Sequence, residues 1–66
     1  MKISLNQQIV EVPENSTLYD ILNDRQMIKP GIAAAVDNKV ISRAVWPDFK
    51  VAADAKITVI SAVCGG

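Results

Sequence analysis

One cysteine and no histidine in 66 residues mean that this chain must fold on packing alone. At this length a single hydrophobic core is only just sufficient, and small domains commonly add a disulfide or a bound metal. Cys64 has no partner for an intramolecular disulfide, and a Cys/His metal set has no ligands here. Half of the residues are apolar, yet only Tyr19, Trp46 and Phe49 are aromatic. Ile, Val, Leu and Ala must therefore fill most of the core, which requires regular elements that turn their apolar faces the same way.

Those elements can be read in order. Ile3 and Leu5 alternate with Lys2, Ser4 and Asn6, the period of a half-buried strand. A turn at Asn6-Gln7-Gln8 leads into the β-branched run Ile9 to Val12, which stops at Pro13, so the first twelve residues form a hairpin with Val10 and Val12 on its inner face. Thr17 and Asp20 have the spacing of a capping box. Behind them Leu18, Ile21, Leu22 and Arg25 keep the i, i+3, i+4, i+7 rhythm of a helix from Leu18 to about Gln26, before Lys29-Pro30-Gly31 breaks the chain.

Ile32 to Val36 is too short for a packed helix and reads as a buried strand. Asp37-Asn38 turns it back through Lys39-Val40-Ile41. Ser42 to Ala53 shows no period, and Trp46, Pro47 and Phe49 within it are expected to lid one end of the core. Lys56 to Val63 is the best strand in the sequence, β-branched on both faces. The result is a single α+β domain over residues 1–66, ordered β-β-α-β-β-β, with a helix over one face of a mixed sheet and a flexible tail at 64–66. Ile57 and Val59 are expected to face the helix. Ile60 and Ala62, with Ala34 or Val36, would then form an exposed apolar patch on the other face.

The last strand runs into Val63-Cys64-Gly65-Gly66. Glycines carry no Cβ to obstruct a close-fitting channel, so the chemical asset of such an ending is its carboxylate. With an ordinary pKa of roughly 3.5, that group is ionised at neutral pH. The apolar patch beside it is expected to dock a partner through Ile60, Ala62, Val63 and Cys64.

Other chemistries find little support. Seven basic and seven acidic residues are scattered without runs of one sign, so no nucleic-acid footprint is visible. No apolar run has the length of a membrane span, and the opening residues are strand-like rather than a signal peptide, so a cytoplasmic protein is expected. Asp20 and Asp24 share a helix face but have no partner group that would make them an acid/base pair. No basic residue flanks Cys64 to lower its pKa, so an incidental cysteine is favoured over a nucleophile or persulfide carrier. Arg43 could meet an acidic surface on a partner, and Trp46 reads as a core plug.

The length, the element order and the ending Gly65-Gly66 resemble the ubiquitin-like β-grasp sulfur carriers, most closely the ThiS-type carriers of thiamine biosynthesis. The likeness extends over the whole chain and is carried by Lys2-Ile3-Ser4-Leu5-Asn6, Thr17-Leu18, the stretch Ala35 to Arg43, Trp46 and the last strand. Two steps differ. Ile41-Ser42-Arg43 keeps the arginine but lacks a proline common before the Trp region, and Asp54-Ala55 stands where Gly-Asp is common.

The resemblance implies a protein that is a substrate, not an enzyme, and binds no cofactor itself. An E1-like adenylyltransferase of the ThiF type would use ATP and Mg²⁺ to adenylate the Gly66 carboxylate, with Gly65 giving the tail its reach. A persulfide donor would then supply sulfur to form a thiocarboxylate. Thiazole synthase of the ThiG type would take that sulfur into thiazole. Two alternatives stay open: the small subunit of molybdopterin synthase, which is usually somewhat longer, and a ubiquitin-like modifier or interaction module whose tail forms amide bonds to lysines.

Overall fold

The computed structural model describes residues 1–61. Its elements are β1 (Lys2–Leu5), β2 (Gln8–Glu11), α1 (Leu18–Asp24), β3 (Ile32–Val36), β4 (Lys39–Ile41), a 3₁₀ helix (Arg43–Asp48) and β5 (Lys56–Ser61). The order expected from the sequence is present, with the 3₁₀ helix added in the stretch that shows no period. All five strands form one sheet in the order β2-β1-β5-β3-β4. β1 and β5 are parallel, and every other neighbouring pair is antiparallel. The last strand therefore lies in the middle of the sheet.

Both hairpins close on two consecutive residues with positive φ: Asn6 at 50° and Gln7 at 70°, then Asp37 at 52° and Asn38 at 69°. Paired positive φ values belong to the turn whose twist matches the right-handed twist of the flanking strands. Asn and Asp tolerate that region because their short side chains bond locally. Gln8, expected in the first turn, instead opens β2 opposite Leu5.

The capping box forms as its spacing implies. The Asp20 amide donates to Thr17 Oγ1 at 3.0 Å, and the Thr17 amide donates to Asp20 Oδ2 at 3.2 Å. At the other end α1 stops at Asp24, short of the expected Gln26. The Gln26 amide donates to the Asn23 carbonyl at 3.0 Å and the Met27 amide to the Leu22 carbonyl at 2.9 Å, with Gln26 at φ 59°. Those two bonds make a Schellman stop, in which a left-handed residue satisfies the last carbonyls. Arg25 is exposed, so the apolar stripe of the helix ends at Leu22.

Leu18, Ile21 and Leu22 join Ile3, Leu5, Val12, Ala34, Val36, Val51, Ala55 and Ile57 in one buried cluster, with Trp46 inside it at 1% exposure. The Trp46 indole Nε1–H donates to the Ile41 carbonyl at 2.9 Å, which satisfies the one polar atom that so large a plug brings into the core. Val10, Phe49 and Val59 pack against the cluster from its margin. Ser16, the buried polar residue among those described, donates through its hydroxyl to the Pro13 carbonyl at 2.6 Å.

Candidate functional site

The candidate site is the end of β5 and the face beside it. Because cross-strand partners share a face, the register decides what surrounds Ile60. Val36 pairs with Ile57 and Ala34 with Val59 on the helix side, whereas Ala33 pairs with Ile60 and Ala35 with Thr58 on the other. Ile57 and Val59 thus face the helix, as expected. Ala34 and Val36 do not belong to the open patch; they are core residues at 0% and 7% exposure. The β3 residues on the open side are Ala33, half-buried, and Ala35, itself buried at 8% exposure beneath its neighbours, one residue out of step.

The same logic carries the open face across the sheet. Ala35 pairs with Val40 on β4, and on the far side Lys56 lies opposite Ser4, which pairs with Ile9. Three exposed aliphatic side chains therefore stand on this face: Ile9, Val40 and Ile60, at 72%, 70% and 49% exposure. Val40 is level with Thr58, so it stands diagonally from Ile60 across β3, two residues further from the end of β5. Ile9 lies toward the start of β5, beside Lys2 and Lys56. The apolar ground nearest the tail is thus Ile60, Ala33 and Val40.

β5 is held on both edges. Toward β3, the Asp37 amide donates to the Lys56 carbonyl at 2.7 Å, and Asp37 Oδ1 accepts from the Lys56 amide at 3.0 Å. Toward β1, the Ser4 amide donates to the Ala55 carbonyl and the Asn6 amide to the Ile57 carbonyl, each at 2.9 Å. The Val59 amide donates to Asn6 Oδ1 at 2.8 Å. Of the residues the sequence singles out for function, Ile60 is in place on this strand; Ala62, Val63, Cys64, Gly65 and Gly66 lie outside the described residues.

Arg43, which reads as an ordinary surface arginine that could also meet an acidic partner, is exposed and makes two contacts within the fold. Its guanidinium carbon lies 5.3 Å from the centroid of the Trp46 ring, and Nη1 donates to the Lys29 carbonyl at 2.8 Å. It ties the loop before β3 to the 3₁₀ helix and covers the core plug, a contact joining residues fourteen apart. No local pattern announces such a contact. Among the described residues no group of three or more His, Cys, Asp or Glu is arranged to hold a metal, and no helix is long and apolar enough to cross a membrane.

A mixed sheet with one capped helix across one face and a central final strand defines the β-grasp class. The crystal structure of a thiamine biosynthesis protein (ThiS) from Geobacter metallireducens superposes on it with a TM-score of 0.87 over 100% of both chains, at 14% sequence identity. At that identity the likeness speaks for the fold. No curated protein matches the sequence significantly. The model of the ThiS family matches residues 2–66, and the chain belongs to that family of ubiquitin-like sulfur carriers.

Proposed function

We propose that this protein carries sulfur as a thiocarboxylate on Gly66 and delivers it for thiazole formation in thiamine biosynthesis. The carrying observation is family membership that extends through residue 66 and so includes Gly65-Gly66, joined to a final described strand that lies at the centre of the sheet. The chain acts as a co-substrate. An adenylyltransferase of the ThiF type supplies ATP and Mg²⁺, and the Gly66 carboxylate attacks the α-phosphate with loss of pyrophosphate.

The acyl adenylate is an activated electrophile. The terminal sulfur of a persulfide attacks its carbonyl carbon and expels AMP, and a thiol then cleaves the resulting acyl disulfide to leave the thiocarboxylate. A thiazole synthase of the ThiG type receives the sulfur, and the carboxylate is restored. Gly65 keeps the thread narrow, Cys64 takes no part in transfer, and the face around Ile60, together with Ala62 and Val63, docks the partners.

Intact-mass measurement after incubation with ATP, the activating enzyme of the same genome and a persulfide donor tests this reading. The expected product is heavier by the exchange of one oxygen for sulfur, located on Gly66. An unchanged mass, or sulfur on Cys64 alone, would overturn it. Conjugates of higher mass bound to lysines would instead favour the modifier alternative.

A further inference from the structure

We propose that Asn6 is a positioning residue for the Gly66 chemistry, its side-chain amide oxygen fixing the point at which β5 parts from β1. The proposal rests on the carrier reading and assigns it a residue sixty positions away from the reacting group. Its basis is the way the β1–β5 ladder ends.

The parallel register of β1 and β5 covers only Ser4 with Lys56 and Leu5 with Ile57. Asn6 adds its amide to the Ile57 carbonyl at 2.9 Å. In a continuing parallel ladder, the carbonyl of Asn6 would next accept from the Val59 amide. The chain has already turned at that point, with Asn6 at φ 50° and Gln7 at φ 70°. The side-chain oxygen of Asn6 takes the place of the carbonyl, 2.8 Å from the Val59 nitrogen.

On the other edge β3 follows β5 as far as Ile32 opposite Ser61. Among the described residues, the Val59 amide therefore makes the last bond of β5 toward β1, and its acceptor is a side chain; beyond it β5 is paired with β3 alone. Release of that bond leaves the end of β5 pinned along one edge. Gly66 lies five residues beyond Ser61, a reach of at most about 18 Å when extended. A strand end that swings on one edge spreads the tail's origin, and fewer encounters place the carboxylate in line for attack. Small misplacements of a reacting group are costly because catalysis depends on near-attack geometry.

The residue type fits both demands. Position 6 needs a positive φ for the hairpin and an acceptor two bonds beyond Cβ for Val59. Asn and Asp satisfy both, and Gly satisfies only the first. That difference gives the test. The full-length chain, Asn6→Gly, Asn6→Asp and, as a control, Thr17→Ala are compared at 25 °C for amide exchange at Val59 and for kcat and KM in pyrophosphate release by the activating enzyme.

For Asn6→Gly the expected result is about fivefold faster exchange at Val59 and a kcat about fivefold lower at unchanged KM, the worth of one hydrogen bond. Asn6→Asp should restore both to within about twofold. Thr17→Ala, which weakens the helix cap remote from β5, should leave kcat unchanged. Unchanged kcat in Asn6→Gly, or an equal loss in Thr17→Ala, would overturn the proposal. Failure of the unaltered chain to release pyrophosphate would overturn the carrier reading instead, and the Val59 exchange rates would still decide whether Asn6 holds the strand.

Discussion

Gln26 sits at φ 59° and Asp54 at φ 65°, where residues other than Gly, Asn or Asp pay most for having a Cβ. Asp54 occupies the step at which the sequence departs from the common Gly-Asp, and its left-handed backbone supplies the conformation a glycine there would adopt. Its amide donates to the Lys2 carbonyl at 2.8 Å, so the turn before β5 also anchors the start of β1. Gln26→Gly should stabilise the protein by about 0.5–1 kcal/mol, relief of left-handed strain outweighing the added freedom of the unfolded chain. Urea denaturation should show a higher midpoint at constant m-value; a lower midpoint would mean that the Gln26 side chain contributes more than its backbone costs. The opposite case is Trp46. Trp46→Ala should cost about 3–5 kcal/mol, enough to leave a 66-residue domain largely unfolded, as loss of cooperative unfolding by circular dichroism would reveal.

At the scale of elements, what the sequence made legible tracks what local chemistry determines. The helix start was legible because Thr17 and Asp20 are three apart and bond each other, and both hairpins because their turn residues carry the conformation. The facing of β3 was not. Ile32-Ala33-Ala34-Ala35-Val36 is apolar at every position, so no alternation marks a face, and only its register with β5 turns Ala34 and Val36 inward. The 3₁₀ helix was equally silent, since Trp46 and Arg43 act through contacts with Ile41 and Lys29 rather than through a period. The sheet face opposite the helix yields a prediction of its own. Ile60→Asp and Val40→Asp change exposed strand side chains, so each should cost no more than about 1 kcal/mol, the span of strand propensity. Each should nevertheless raise the KM of the activating enzyme for this carrier at least about tenfold, because a charge is being buried against an apolar contact. Unchanged kinetics in both variants would move the docking surface elsewhere.

Across the whole molecule, folding and chemistry are divided along the chain. The buried cluster of the described residues runs from Ile3 to Ile57, and the open face is built on strands already fixed by that core, whereas the proposed reaction uses only the last residue. The two functions should therefore separate on truncation. A chain ending at Ser61 is expected to unfold cooperatively, with a midpoint close to that of the full chain. It should dock on the activating enzyme through Ile60, Ala33 and Val40, yet present no carboxylate at the required distance. Its behaviour should be that of a competitive inhibitor of pyrophosphate release, and Ile60→Asp in the truncated chain should abolish inhibition. A full-length chain extended by one residue beyond Gly66 should compete in the same way, since it keeps the face and displaces the reacting group. If the extended chain were converted as efficiently as the natural one, the reaction would not depend on where the carboxylate lies. If the truncated chain did not compete, recognition would reside in the tail, and the sheet face would be ordinary exposed surface.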